Sequence, residues 1–158
     1  MAAKKQKQYT NILVPVDGSH NSKLALLRAL DMAERHPDTT KLHIAHVINE
    51  VTNFAGASDQ FILKMTNNDR KMLNKYLKVA KEHHVKADIK IMYGSPKATI
   101  AHDLTDLYHP DLIVMGAIGL SKIERVLLGS VAVYVSREAP CDVLLVKEDH
   151  QSKAKAKK

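Results

Sequence analysis

Apolar residues in this chain gather into five short runs, at 11–16, 42–48, 87–93, 112–115 and 142–146. Runs of this length, rich in Ile, Val and Leu and bounded by turn residues, predict strands buried on both faces. The run at 87–93 alternates apolar with polar residues, which predicts an edge or near-edge position. Pro15 has no N–H for a ladder, so pairing of the first strand is expected to stop there.

Between the runs the period lengthens to that of a helix. Leu24, Leu27, Leu30 and Ala33 form a stripe that ends before Pro37, with Ser19 of Asp17-Gly18-Ser19 as the expected N-cap. Phe61, Met65, Met72, Tyr76 and Ala80 predict a long helix over about 58–84, with Lys71, Lys75, Lys78 and Lys81 on its solvated face. The methionines read as core filler. Gly94-Ser95-Pro96 predicts the next helix start, Ser95 capping and Pro96 in the first turn, with Ile100, Leu104, Leu107 and Tyr108 on one face. A last helix is expected to begin at Ser130 as its cap and to stop at Ala139-Pro140.

Strands and helices therefore alternate. Such alternation predicts one α/β domain, an open twisted parallel sheet of five strands with helices on both faces. Ligands of these sheets sit beyond the C-terminal strand ends. Asp17-Gly18, Val47 and the segment 116–130 all fall at that edge.

Composition changes this picture little. The chain has 158 residues, enough for one normal core, and no apolar run long enough to span a membrane. The start, Met1-Ala2-Ala3-Lys4-Lys5, lacks the apolar stretch of a secretory signal. The single Cys141 excludes an internal disulfide and suits a reducing cytosol; following Pro140, it reads as a small buried hydrophobe. A cytoplasmic protein is expected. The net charge of +7 resides in the ends: Lys4, Lys5 and Lys7, then Lys153, Lys155, Lys157 and Lys158, leave 17 basic residues against 17 acidic ones. The expected organisation is a basic tail at 1–8, a domain at 9–147 and a second basic tail at 148–158. No basic stripe with interleaved aromatics argues for nucleic acid.

The chemistry concentrates in one stretch. Met115-Gly116-Ala117-Ile118-Gly119 is followed, after nine residues, by Gly129-Ser130-Val131-Ala132. Glycines permit close approach of backbone to a ligand, and a helix start offers unpaired N–H groups to an anion. A Walker A loop is excluded because no glycine precedes a lysine, and the dinucleotide fingerprint is missing after the first strand. His43 and His46 point to opposite faces of a strand and so cannot share a metal. His83-His84 read as exposed residues at a helix end, and His20 as a bystander.

On these residues the chain resembles the universal stress protein family, in its ATP-binding branch. The matching stretches are Val14-Pro15-Val16-Asp17-Gly18-Ser19, His46-Val47, Gly94-Ser95-Pro96, the G-x2-G-x9-G-S motif and Ala139-Pro140-Cys141-Asp142-Val143-Leu144. The resemblance implies a Rossmann-like, adenine nucleotide α-hydrolase-like fold with strand order 3-2-1-4-5. It implies ATP with Mg²⁺ as ligand: adenine near Val47 and Pro15, Val16 and Asp17, then Met115 and Gly116 toward ribose and α-phosphate. Gly119, Gly129, Ser130, Val131 and Ala132 would surround the phosphates, and Asp17 or Ser130 would meet the metal. Family members often carry a hydroxyl or basic residue inside G-x-x-G, where this chain has Ala117-Ile118. Backbone N–H groups, Ser121 and Lys122, with Arg125 nearby, are the expected replacements. The implied role is nucleotide-dependent regulation in a stress response, with at most slow hydrolysis. A true ATP-hydrolysing or adenylyl-transferring enzyme, and a dimeric interaction protein with a vestigial pocket, are the alternatives. A homodimer is expected through the fifth strand, Val143, Leu144, Leu145 and Val146, an apolar edge that needs covering.

Overall fold

The computed structural model describes residues 7–49, 56–120 and 128–148. Five strands form one sheet: β1 (Asn11–Pro15), β2 (Lys41–Ile48), β3 (Lys86–Tyr93), β4 (Leu112–Gly116) and β5 (Asp142–Val146). All neighbours pair in parallel, in the order β3-β2-β1-β4-β5. The register sets Asn11 beside Lys41, Ile12 beside Leu112 and Ile113 beside Val143. Because every strand runs the same way, each must be reached by a crossover, and the helices supply it. These are α1 (His20–Glu34), α2 (Asp59–Glu82), α3 (Pro96–Ala98), α4 (Leu104–Tyr108) and α5 (Ser130–Glu138), with a π-helical segment (Thr99–Asp103) joining α3 to α4. No described helix is long and apolar enough to cross a membrane.

The period of two along each strand divides the core. Ile12, Val14, Leu42, Ile44, Leu112 and Val114 face α1 and α2. Leu13, Ala45, Ile113 and Met115 face Ile100, Ala101, Leu104, Ala132 and Val135 of the π segment, α4 and α5. The central strands β1 and β4 are buried on both sides; β3 and β5 are edges and only partly covered.

Helix faces depart from the expected stripes. α1 starts at His20, and it buries Ser22, Ala25, Leu26, Ala29, Leu30 and Ala33 while Leu27 is exposed. Gly116 at the end of β4 meets the first turn of α1 at backbone distance, beside the small residue Ser22. In α2, Leu73 joins Tyr76 and Ala80 in the core, whereas Phe61 is exposed. Leu107 of α4 is exposed too, since the π turn adds a residue and rotates the face that follows it. Cys141 is half-buried rather than fully so. Pro96 does open a helix, and Ser95 occupies the cap position, but its side chain makes no capping bond. The N-terminal segment is tied to the edge: Lys7 Nζ and Tyr9 Oη both donate to Asp142 Oδ2, at 2.6 and 2.8 Å.

Candidate cleft at the strand ends

β1 leaves the sheet at Val16, whose N–H still donates to the Ala45 carbonyl at 2.8 Å. The turn that follows needs a positive φ, and Gly18 supplies it at +80°. Asp17 Oδ1 accepts from Ser19 N–H at 2.9 Å, and Ser19 Oγ accepts from Ser22 N–H at 3.2 Å. Ser19 is thus the N-cap of α1, as its sequence position predicts. The second carboxylate oxygen, Asp17 Oδ2, accepts from Leu120 N–H at 3.2 Å. One short side chain therefore joins the first turn to the glycine loop. A Cβ on Gly119 would lie 2.7 Å from this same oxygen. Gly119 is glycine because Asp17 occupies the space.

The loop after β4 is held by its backbone. Ala117 N–H donates to the Val146 carbonyl of β5 at 2.7 Å, and Gly129 N–H donates to the Ala117 carbonyl at 2.7 Å. Asn21 of α1 bridges outward: its Nδ2 donates to the Ile118 carbonyl and its Oδ1 accepts from Glu148 N–H, both at 3.2 Å. Ala117 itself is buried. Gly129, not Ser130, is the N-cap of α5, with extended φ and ψ of −72° and 152°. Ser130 is the first helical residue. The expectation that it caps the helix is corrected by one position: Gly129 holds the cap place, where a Cβ would lie 3.3 Å from the Ala117 carbonyl oxygen. The first-turn N–H groups of Ser130, Val131 and Ala132 have no intrahelical acceptor, and all three residues line the cleft at the strand ends.

These segments enclose a cleft of about 520 Å³, a size that accommodates a small organic ligand. Pro15, Val16, Asp17, Val47, Met115, Gly116, Gly119, Gly129, Ser130, Val131 and Ala132, the residues singled out in the sequence, all line it. Ser19, Ser22, Asn49, Pro96, Ile100 and Leu120 line it as well and were not anticipated as lining. Pro96 and Ile100 belong to a helix start that the sequence does show, but only the crossover brings it over Ala45 and Val47. Among the described lining residues the one charged side chain is Asp17, and no described group of three His, Cys, Asp or Glu is arranged to hold a metal. Ser121, Lys122 and Arg125 lie outside the described residues.

The histidines divide as their spacing predicts. His43 is buried at the opposite end of the sheet, bonded to Asp88 Oδ1 at 2.8 Å and Asn11 Oδ1 at 2.7 Å and stacked on Tyr108. Asn11 Nδ2 faces the Tyr108 and His109 carbonyls, which leaves its oxygen to accept. His43 thus bridges the Asp88 carboxylate of β3 and the Asn11 amide of β1 through its two ring nitrogens. Burial pushes the Asp88 carboxyl up, but hydrogen bonds from Lys41 and His43 outweigh it and hold the group below its ordinary value. His46 lies on the other face, toward α2, and bonds the Val16 carbonyl. His83 is partly exposed and contacts Glu34. His20 is exposed beside Glu148, outside the cleft lining.

The family described as the universal stress protein family matches residues 8–147. A Staphylococcus aureus (strain USA300) relative named as a universal stress protein is 38% identical over 144 residues, 89% of this chain and 86% of the relative. Among solved structures, the universal stress protein UspA from Lactobacillus plantarum is similar with a TM-score of 0.73 at 30% identity, covering 89% of this chain and 99% of its own. A universal stress protein solved in complex with cAMP is similar with a TM-score of 0.66 at 28% identity, covering 89% and 98%.

Proposed function

The chain belongs to the universal stress protein family, and on that premise we propose that its cleft binds an adenine nucleotide, ATP with Mg²⁺, and that occupancy regulates the protein's interactions. The observation that carries this reading is the pairing of two unlike halves across one cleft. On one side stand the strand ends at Pro15, Val16, Asp17 and Val47, suited to a flat base and a ribose. On the other stand Gly119 and Gly129 and the first turn of α5, suited to anionic oxygens. The cAMP complex of a related universal stress protein supports the same class of ligand.

Asp17 and Ser130 are the residues that would meet a phosphate-bound Mg²⁺. The fit is reasonable for Ser130, which the Gly129 cap relieves of capping. The metal would neutralise phosphate charge that the described lining does not offset. Both Asp17 oxygens already accept main-chain N–H groups, which favours a structural use of this carboxylate over a base that takes a proton. Binding with little turnover is the result expected. β5 is an edge strand with partly exposed apolar residues from Val143 to Val146, and its pairing with a second copy completes the reading; a monomeric mass by sedimentation at micromolar concentration would overturn that part.

The test is calorimetric titration of protein stripped of co-purified nucleotide. Saturable uptake of one Mg-ATP per chain is expected. Absence of any heat or retention with ATP, AMP and cAMP would overturn the proposal.

A further inference from the structure

We infer that His46 is a positioning residue for the base half of the cleft: it draws the Val16 carbonyl out of the ladder and thereby leaves the Val47 main-chain N–H facing the ligand. This rests on the adenine-nucleotide reading and adds to it a residue outside the cleft lining.

The hydrogen-bond alternation of a parallel strand carries the inference. In such a strand successive residues direct both N–H and C=O first to one neighbour, then to the other. Odd-numbered residues of β2 turn toward β1, since Lys41 N–H donates to the Thr10 carbonyl and Ala45 accepts from Val16 N–H, both at 2.8 Å. Even-numbered residues turn toward β3, since Ile48 accepts from Gly94 N–H at 3.0 Å. Val47 therefore turns toward β1. Its regular partner would be the Val16 carbonyl. Among the described backbone bonds that rung is not made. The Val16 carbonyl lies instead 2.7 Å from His46 Nδ1.

A carbonyl only accepts, so Nδ1 must carry the proton. The imidazole reaches the carbonyl from the α2 face, because His46 shares its side of β2 with Leu42 and Ile44. There Asp69 of α2 places Oδ2 3.6 Å from Nε2, and the two side chains are 14% and 24% exposed. The same peptide is held from its other end, where Asp17 N–H lies 3.4 Å from Ser22 Oγ. One largely covered ring thus sets two features of the cleft, a Val47 N–H without its regular ladder partner among the described residues and the path by which the chain enters Asp17.

The test uses the full chain, wild type, His46→Leu and His46→Asn, titrated with Mg-ATP, together with long-range ¹H–¹⁵N spectra of the wild-type imidazole. His46→Leu keeps the volume but lets Val47 N–H recapture the Val16 carbonyl; its affinity should fall about fivefold to tenfold, the effect of one hydrogen bond. His46→Asn places an amide N–H near the Nδ1 position and should restore most of that loss, which a packing role would not. The spectra should show Nδ1 protonated at neutral pH. Unchanged binding in His46→Leu, equal loss in both variants, or an Nε2–H tautomer would each overturn the inference. The spectral result needs no variant to fold. Wild-type protein that binds no nucleotide would overturn the functional reading and this one with it, whereas wild-type binding beside an unaffected His46→Leu would overturn this one alone.

Discussion

Two glycines at the cleft should respond differently to the same one-carbon addition. A Cβ on Gly116 would meet backbone, Ser22 N at 2.9 Å and Asn21 C at 3.0 Å. Neither neighbour can yield without moving the first turn of α1 off the end of β4. Overpacking of this kind costs about 1–3 kcal/mol, and reduced freedom of the unfolded chain returns about 0.4–1 kcal/mol. A net loss of about 1–2 kcal/mol lowers the melting midpoint of a domain this size by about 2–8 °C. A Cβ on Gly119 would lie 2.7 Å from Asp17 Oδ2, closer still, but that oxygen is the far end of a side chain. It can swing away at the cost of one hydrogen bond, from Leu120 N–H. A bond to a charged acceptor contributes about 1.5–3 kcal/mol at most, less here because the site is partly exposed, and the same entropic gain offsets it. Gly119→Ala should therefore melt within about 3 °C of wild type. Its Mg-ATP affinity should drop about tenfold, because Asp17 and the loop N–H groups separate. Thermal melts and calorimetry on both variants measure the contrast. Equal melting losses in the two, or a larger loss in Gly119→Ala, would refute the ranking by what each Cβ touches.

The hydrogen bonds that Asp88 accepts from Lys41 and His43 at the far end of the sheet predict a pH dependence. Asp88 is held below its ordinary carboxylate value of 3.8, so its contribution is fully present above that pH and fades as pH falls through the lower folded value. The urea midpoint of Asp88→Asn should lie below wild type at pH 7, and the gap should narrow below about pH 3.8; a gap constant from pH 7 to 2.5 would count against the pairing. Tyr76 Oη is buried with no hydrogen-bond partner among the described residues. Removing an unsatisfied hydroxyl gives back its desolvation cost, about 1–3 kcal/mol. Tyr76→Phe should therefore be neutral or stabilising in the same melts, and a drop of several degrees would show that the hydroxyl is satisfied in solution.

Strands were more legible than helix faces, for a physical reason. A strand buried on both sides is an unbroken apolar run, and β1 and β4 are such runs within a residue of their observed ends. The buried face of α1 is written partly in Ser22, Ala25 and Ala29. The first turn, at Ser22, lies in close approach to Gly116, and hydropathy does not record close approach. Phe61 and Leu107 were misassigned by the converse error, since large apolar side chains often remain exposed. At the site, the glycine spacing and the Asp17 turn were visible as local chemistry. The linkage from Asp17 to Leu120 was not, because a sequence separation of 103 residues is closed only by the fold. His46 was legible as a strand residue on the face opposite His43, but its partners come from β1 and α2.

The apolar pair inside the glycine motif acquires an explanation from these contacts. Ala117 and Ile118 stand where family members often carry a hydroxyl or a basic residue, and the polar work there is done by main chain. Ala117 contributes its N–H to β5 and its carbonyl to Gly129, and Ile118 contributes its carbonyl to Asn21. With those groups committed to holding the loop, side chains at 117 and 118 are free to pack. Ala117 does so almost completely, at 1% exposure. A polar side chain at that position would be buried without an evident partner and would cost about 1–3 kcal/mol. Residues 117 and 118 are therefore held by anchors to β5, α1 and α5 without an anion. The loop's apolar interior belongs to that anchoring, and on the proposed reading recognition of an anion would fall to the first turn of α5 and the space left by two missing side chains.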